Sequence, residues 1–202
     1  MLGLTCTVDN VDLHGLHGML HYMLQPVLSY ARPRQLTLDD WPADLRSTPA
    51  TDVFAALREQ VSSRLEMLCV EARLDKDHDD GTVDIAAVLD GLRSSLLRAP
   101  PQELQMKIWM HDLDPRPDDD TAFARMQHRR KRLPTPPPPD PAEFPLCFAE
   151  CSAEDFDLEG YVHRFMDEVP TLQRAHIVLG GPRDRWRRAT IVDGKLQIEE
   201  QR

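Results

Sequence analysis

His14, His17 and His21 are the first residues of this chain whose type and spacing could do chemistry. Steps of three and four place side chains on neighbouring turns of one helix, and two histidines at i, i+4 can share a zinc ion. The residues between His17 and His21 are Gly18, Met19 and Leu20, so the glutamate base of a zinc-peptidase helix is missing. No further ligands follow in metal-site spacing, so the sequence predicts no bound metal and no cofactor. A polar flank beside a leucine stripe accounts for the three imidazoles.

Asp75, Asp77, Asp79, Asp80 and Asp84 are arranged like the start of a calcium loop. Such a loop wants glycine at its sixth position and glutamate at its twelfth. Those positions hold Asp80 and Ala86, and the pattern fails at both. Cys147 and Cys151, with His163 downstream, could supply a nucleophile and a base, but such a pairing is spatial and not sequential. The chain has no nucleophile elbow, phosphate loop or dinucleotide fingerprint. No catalytic residue is assigned. An enzyme remains the alternative, with a site assembled from distant residues: the His14, His17 and His21 face, or Cys151 with His163.

Two basic segments and a proline tract point instead to recognition. Arg129, Arg130, Lys131 and Arg132 precede Pro136, Pro137 and Pro138, while Arg183, Arg185, Arg187 and Arg188 surround Trp186. Consecutive prolines favour the extended polyproline II form, which aromatic grooves read at low entropic cost. A stiff spacer has the same composition. Arginines interleaved with an aromatic can grip phosphate and stack a base, which makes a nucleic-acid accessory protein using residues 183–188 a further alternative. Opposing it is a net charge of −10, since nucleic-acid affinity rests on cations that neutralise phosphate.

The 202 residues suffice for a sizeable core, and 41% hydrophobic content with 17 prolines is globular apart from one stretch. That stretch, 113–143, is charged and then proline-rich, and reads as a disordered or extended insertion within a single domain covering 1–202. The N-terminus lacks a signal-peptide pattern, and four cysteines without a CxxC pair fit reduced thiols. The expectation is a cytoplasmic protein.

The elements that must position these residues follow from periodicity. Alternation predicts strands at 2–8, 35–39, 104–111, 145–151 and 176–179. Helices are expected over 11–29, from 51 or 52 onward through 67–74, over 83–98 and over 153–168. Residues 67–74 alternate like a strand but can also continue the preceding helix, which is the reading adopted. Asp193-Gly194 between alternating segments predicts a hairpin with a two-residue type I′ turn. The expected fold is α+β, with a mainly antiparallel sheet and three to four packed helices. The expected role is a non-enzymatic protein-binding protein, an adaptor, chaperone-like or assembly subunit whose partner is another protein. Its contacts are predicted at Arg129, Arg130, Lys131, Arg132, Pro136, Pro137, Pro138, Arg185, Trp186 and Arg187.

Overall fold

A computed structural model describes residues 8–14, 20–39, 54–59, 65–75, 80–97, 100–113, 145–169, 171–181 and 185–201. Seven strands form one sheet, and their order in space repeats their order in the chain. They are β1 (Asn10–His14), β2 (Gln35–Asp39), β3 (Met67–Asp75), β4 (Glu103–Asp112), β5 (Arg174–Gly180), β6 (Trp186–Val192) and β7 (Lys195–Gln201). The strands from β1 to β5 pair in parallel, while β5–β6 and β6–β7 pair antiparallel. The helices are α1 (Leu20–Pro26, continued by a π-helical turn Val27–Ala31), α2 (Ala55–Glu59), α3 (Ile85–Leu96), α4 (Phe148–Asp155) and α5 (Leu158–Glu168).

The antiparallel expectation is therefore met only in part, and the sheet is mixed. Alternation in sequence is the same for either pairing sense; the crossover helices decide it. A parallel run with sequential order and right-handed crossovers carries its helices on one face. Burial agrees. Leu36, Leu68, Leu104, Ala175 and Ile191 stand side by side in register, as do Leu38, Val70, Met106, Ile177 and Ala189, and all are buried. Against them pack Leu20 and Leu24 of α1, Leu57 of α2, Leu89 and Leu92 of α3, and Tyr161 and Phe165 of α5. Tyr161 donates its hydroxyl to the carbonyl of Leu89 at 2.8 Å, joining α5 to α3 inside the core.

Four element assignments are corrected. Residues 10–14 are a strand and not the start of a long helix, because Val11 and Leu13 alternate and pair with Leu36 and Leu38. The helix begins at Leu20, and where Pro26 lacks an N–H the chain widens into the π-helical turn. Residues 67–74 are a strand, since they pair with β2 on one side and β4 on the other. Residues 148–151 are helical and not the end of a strand, since the helix starts at Phe148 rather than Ala153. Cys147 caps α4 in a box with Glu150, whose carboxylate accepts the Cys147 N–H at 2.7 Å. The single helix expected over 153–168 is broken at Phe156 and Asp157, and Asp157 caps α5 by accepting the Gly160 N–H at 2.9 Å.

The expected hairpin is present, with positive φ of 51° at Asp193 and 71° at Gly194, as a type I′ turn requires. The strand expected over 2–8 lies outside the described residues except for Val8. The insertion also lies outside them except for Leu113, which is buried at the end of β4.

Candidate functional site

The histidines at 14, 17 and 21 do not share a helix. His14 is on β1, where its Nδ1 lies 3.1 Å from an Asp39 carboxylate oxygen, and His17 is outside the described residues. Among the described residues no group of three or more His, Cys, Asp and Glu side chains is placed to hold a metal ion. In the acidic loop, Asp80 turns its carboxylate inward and accepts the Asp75 N–H at 3.0 Å. Its buried position in a 3₁₀ turn explains that aspartate as a loop brace.

Cys147 and Cys151 lie one turn apart at the start of α4, not on a strand face. Burial pushes the Cys147 thiol above its ordinary range. The Cys151 Sγ contacts the Leu146 carbonyl at 3.9 Å, whereas His163 faces Glu159 on α5 at 4.0 Å. No hydrogen bond joins Cys151 to His163.

Beside Cys151 runs an open groove of about 420 Å³, lined by Asp84, Asp90, Phe148, Ser152, Asp155 and Arg164 among others. Its central polar pair is already engaged. Ser152 donates to Asp84 at 3.1 Å, and the same carboxylate caps α3 through the Ala87 N–H at 3.1 Å. These bonds tie α4 to the start of α3, which is a structural task.

The residues around Trp186 divide between the two faces of the sheet. Arg187 points to the helical side and donates to the carbonyls of Ala153 and Phe156, satisfying the end of α4. Arg185, at the rim, bonds Glu154 at 2.9 Å. Trp186 and Arg188 lie on the opposite face, the guanidinium 4.7 Å from the ring centroid. The predicted contacts Arg129, Arg130, Lys131, Arg132, Pro136, Pro137 and Pro138 fall outside the described residues.

That opposite face has no helix packed on it among the described residues, and its side chains form rows fixed by the strand register. One row runs Asp12, Thr37, Cys69, Gln105, His176, Thr190; the next runs Asp39, Glu71, Lys107, Val178, Arg188, Glu199. A third places Arg73, Trp109, Gly180, Trp186 and Gln201 in line. The indole of Trp109 lies over Gly180 so closely that an added Cβ there would stand 2.4 Å from Cε3. Its Nε1 donates to Glu71 at 3.1 Å, while Trp186 donates to Gln201. Both indole N–H groups are thus engaged within the chain.

The electrostatics of the face are ordered by cross-strand pairs. Glu71 meets Lys107 at 3.3 Å, Arg174 meets Glu103 at 2.9 Å, and Arg188 meets Glu199 at 3.3 Å. Partial burial disfavours the charged form of Glu71, but Lys107, with the bonds from Trp109 and Arg73, outweighs it and holds the carboxyl below its ordinary range. Burial first, then the neighbouring Arg188 and Lys107, lower the affinity of His176 for a proton. Its Nδ1 lies 3.3 Å from the Thr190 hydroxyl. Burial raises the Cys69 thiol. The middle of the face is therefore a row of neutral hydrogen-bonding groups between charged rows.

No protein-family model, curated protein or solved structure matches this chain. Its function must be read from the surface itself. Of that surface, the sequence singles out Trp186 and its arginines but not Trp109, Glu71 or His176, and it reads Gly180 as part of a tight turn with Gly181 and Pro182, whereas Gly180 is the last residue of β5. The alternation of Lys107 and Trp109 with apolar neighbours marks them as facing away from the core, yet only the register puts them beside Gly180 and Trp186.

Proposed function

We propose that this chain is a non-enzymatic protein-binding protein that docks its partner on the face of its sheet opposite α1 to α5. The supporting observation is that face itself, with Trp109, Trp186 and Arg188 grouped at one end and neutral hydrogen-bonding groups across its centre. Tryptophan and arginine are the residues enriched where truncation costs most binding energy. Rings whose N–H groups are already satisfied offer apolar contact without leaving a donor unpaired on docking. Arg185, about half exposed, stands at the rim of the same end. The basic and proline-rich residues from Arg129 to Pro138 would add a second contact, by virtue of their composition. Adaptor, chaperone-like subunit and assembly component are all roles such a surface can serve.

Among the described residues no helix is long and apolar enough to cross a membrane. Site-specific photo-crosslinking tests the docking face. A benzophenone side chain at Gln105, in the centre of the face, should yield a discrete adduct with another polypeptide in native lysate. The same group at Tyr22, exposed on α1, should not. Equal labelling from both positions, or none from Gln105, would remove the open face from the proposal. Deleting 114–143, which spares the buried Leu113, measures in the same assay the share of binding owed to the insertion.

A further inference from the structure

We propose that the partner is a second copy of this chain, joined face to face about a two-fold axis. This inference rests on the protein-binding reading above and names the occupant of the same surface. Charge is its first support. On β1–β3 the open face carries Asp12, Asp39 and Glu71, whereas on β4–β7 it carries Lys107, Arg174, Arg188 and Lys195. Arg73, Glu103 and Glu199 run against this division. A chain of net charge −10 repels its own kind in most orientations. A surface acidic at one end and basic at the other is complementary to itself under a two-fold operation, and so selects one orientation.

The register makes the pairing specific. An axis along the strands between β4 and β5 lays β4 of one copy over β5 of the other, and β3 over β6. Glu103 then meets Arg174, Glu71 meets Arg188, and Arg73 meets the indole of Trp186. The two Trp109 rings, each lying over its own Gly180, stand together at the axis. Cys69 faces Thr190, and Gln105 faces His176. The unfavourable meeting, Asp39 with Glu199, falls at the outer strands, where His14 and Arg188 already partner them. The six strands that overlap, β2 to β7, ~4.8 Å apart and about six residues deep at ~3.3 Å each, present roughly 600 Å². That is near the ~800 Å² per partner of a standard interface, and suits a reversible dimer sensitive to salt.

Sedimentation equilibrium on the full chain tests this. Dimerisation should weaken at least about tenfold between ~50 mM and ~500 mM salt. The pair Arg174→Glu with Arg188→Glu should be monomeric, as should Glu71→Arg with Glu103→Arg, and mixing the two should restore a dimer. Should either pair fail to fold, Thr190→Cys decides the matter with a bis-maleimide of about 8 Å span, which suits cysteines facing one another across sheets stacked ~10 Å apart. It should give a covalent dimer whose linked peptides carry Cys69 of one copy and position 190 of the other. Within one chain the two positions lie three strands apart, ~14 Å, beyond that span. A monomer up to about 100 µM, or a dimer indifferent to salt and to the charge reversals, overturns self-pairing. If the chain stays monomeric while Gln105 crosslinks a different protein, self-pairing falls and the protein-binding reading stands. If neither is seen, both fall.

Discussion

Replacing Gly180 with alanine tests whether Trp109 holds the open face in the described arrangement. The backbone of Gly180 is ordinary strand, so alanine is conformationally allowed and on its own would stabilise by roughly 0.5–1 kcal/mol. Its Cβ, however, would sit 2.4 Å from Cε3 and 3.0 Å from Cζ3 of Trp109. The indole must swing away, and the bond from its Nε1 to Glu71 is lost. A hydrogen bond to a charged group contributes about 1.5–3 kcal/mol, and less where solvent reaches it. The net expectation is a destabilisation of about 1–2 kcal/mol, which at a urea m-value of about 2 kcal/mol/M lowers the midpoint by roughly 0.5–1 M. Equilibrium unfolding followed by far-UV circular dichroism measures it. In a Trp109→Leu background the same alanine should be neutral or stabilising, giving a coupling energy of about 1–2 kcal/mol. An unchanged midpoint for Gly180→Ala in the wild-type chain, or equal effects in both backgrounds, would refute the stacked geometry.

Asp193→Pro should lower stability by about 3 kcal/mol, read as a lower melting temperature, because proline fixes φ near −65° where the hairpin needs 51°. Asp84→Ala removes the cap of α3 and the acceptor of Ser152 together, so a loss of about 1–2 kcal/mol in urea unfolding is expected. His176 contributes a pH dependence of known sign. Its folded-state pKa lies below the ordinary value, so the unfolded chain takes up the proton first as pH falls. Its contribution is complete above about pH 6.5 and declines as pH drops through the folded value. The urea midpoint should therefore fall less between pH 7.5 and pH 5.5 in His176→Gln than in the wild-type chain.

Elements whose signal is local were legible in the sequence. Gln35–Asp39, the alternation of Leu104, Met106, Ile108 and Met110, the helix capped at Asp84 and the Asp193-Gly194 turn all stand where their residues put them. Segments that fit two periods were not. Leu13 belongs both to a helical stripe with Leu16 and Leu20 and to a two-residue alternation with Val11, and pairing with β2 decides between them. Residues 67–74 were decided in the same way, by neighbours on both sides. The start of α4 was hidden because cysteine is an unusual cap, so Cys147 and Glu150 gave no visible box. The open face was half legible. Polar residues at alternate strand positions mark it, but which of them become neighbours depends on strand order, and strand order is set by crossovers that leave no local signature.

The sheet order also bears on how the chain comes to be folded during synthesis. Each strand from β2 to β6 lies between its predecessor and its successor in the sequence. A growing chain thus always finds the inner neighbour of its newest strand already made, and never has to hold an early strand unpaired for a late one. Only the antiparallel pairings of β5, β6 and β7 close over short stretches; the parallel ones reach from Asn10 to Gln35 at the shortest and from Glu103 to Arg174 at the longest, and so form more slowly. The growing edge is the exposed one at every stage. It moves outward until β7, where Lys195, Glu199 and Glu200 put charge along the last strand and discourage a further strand from adding.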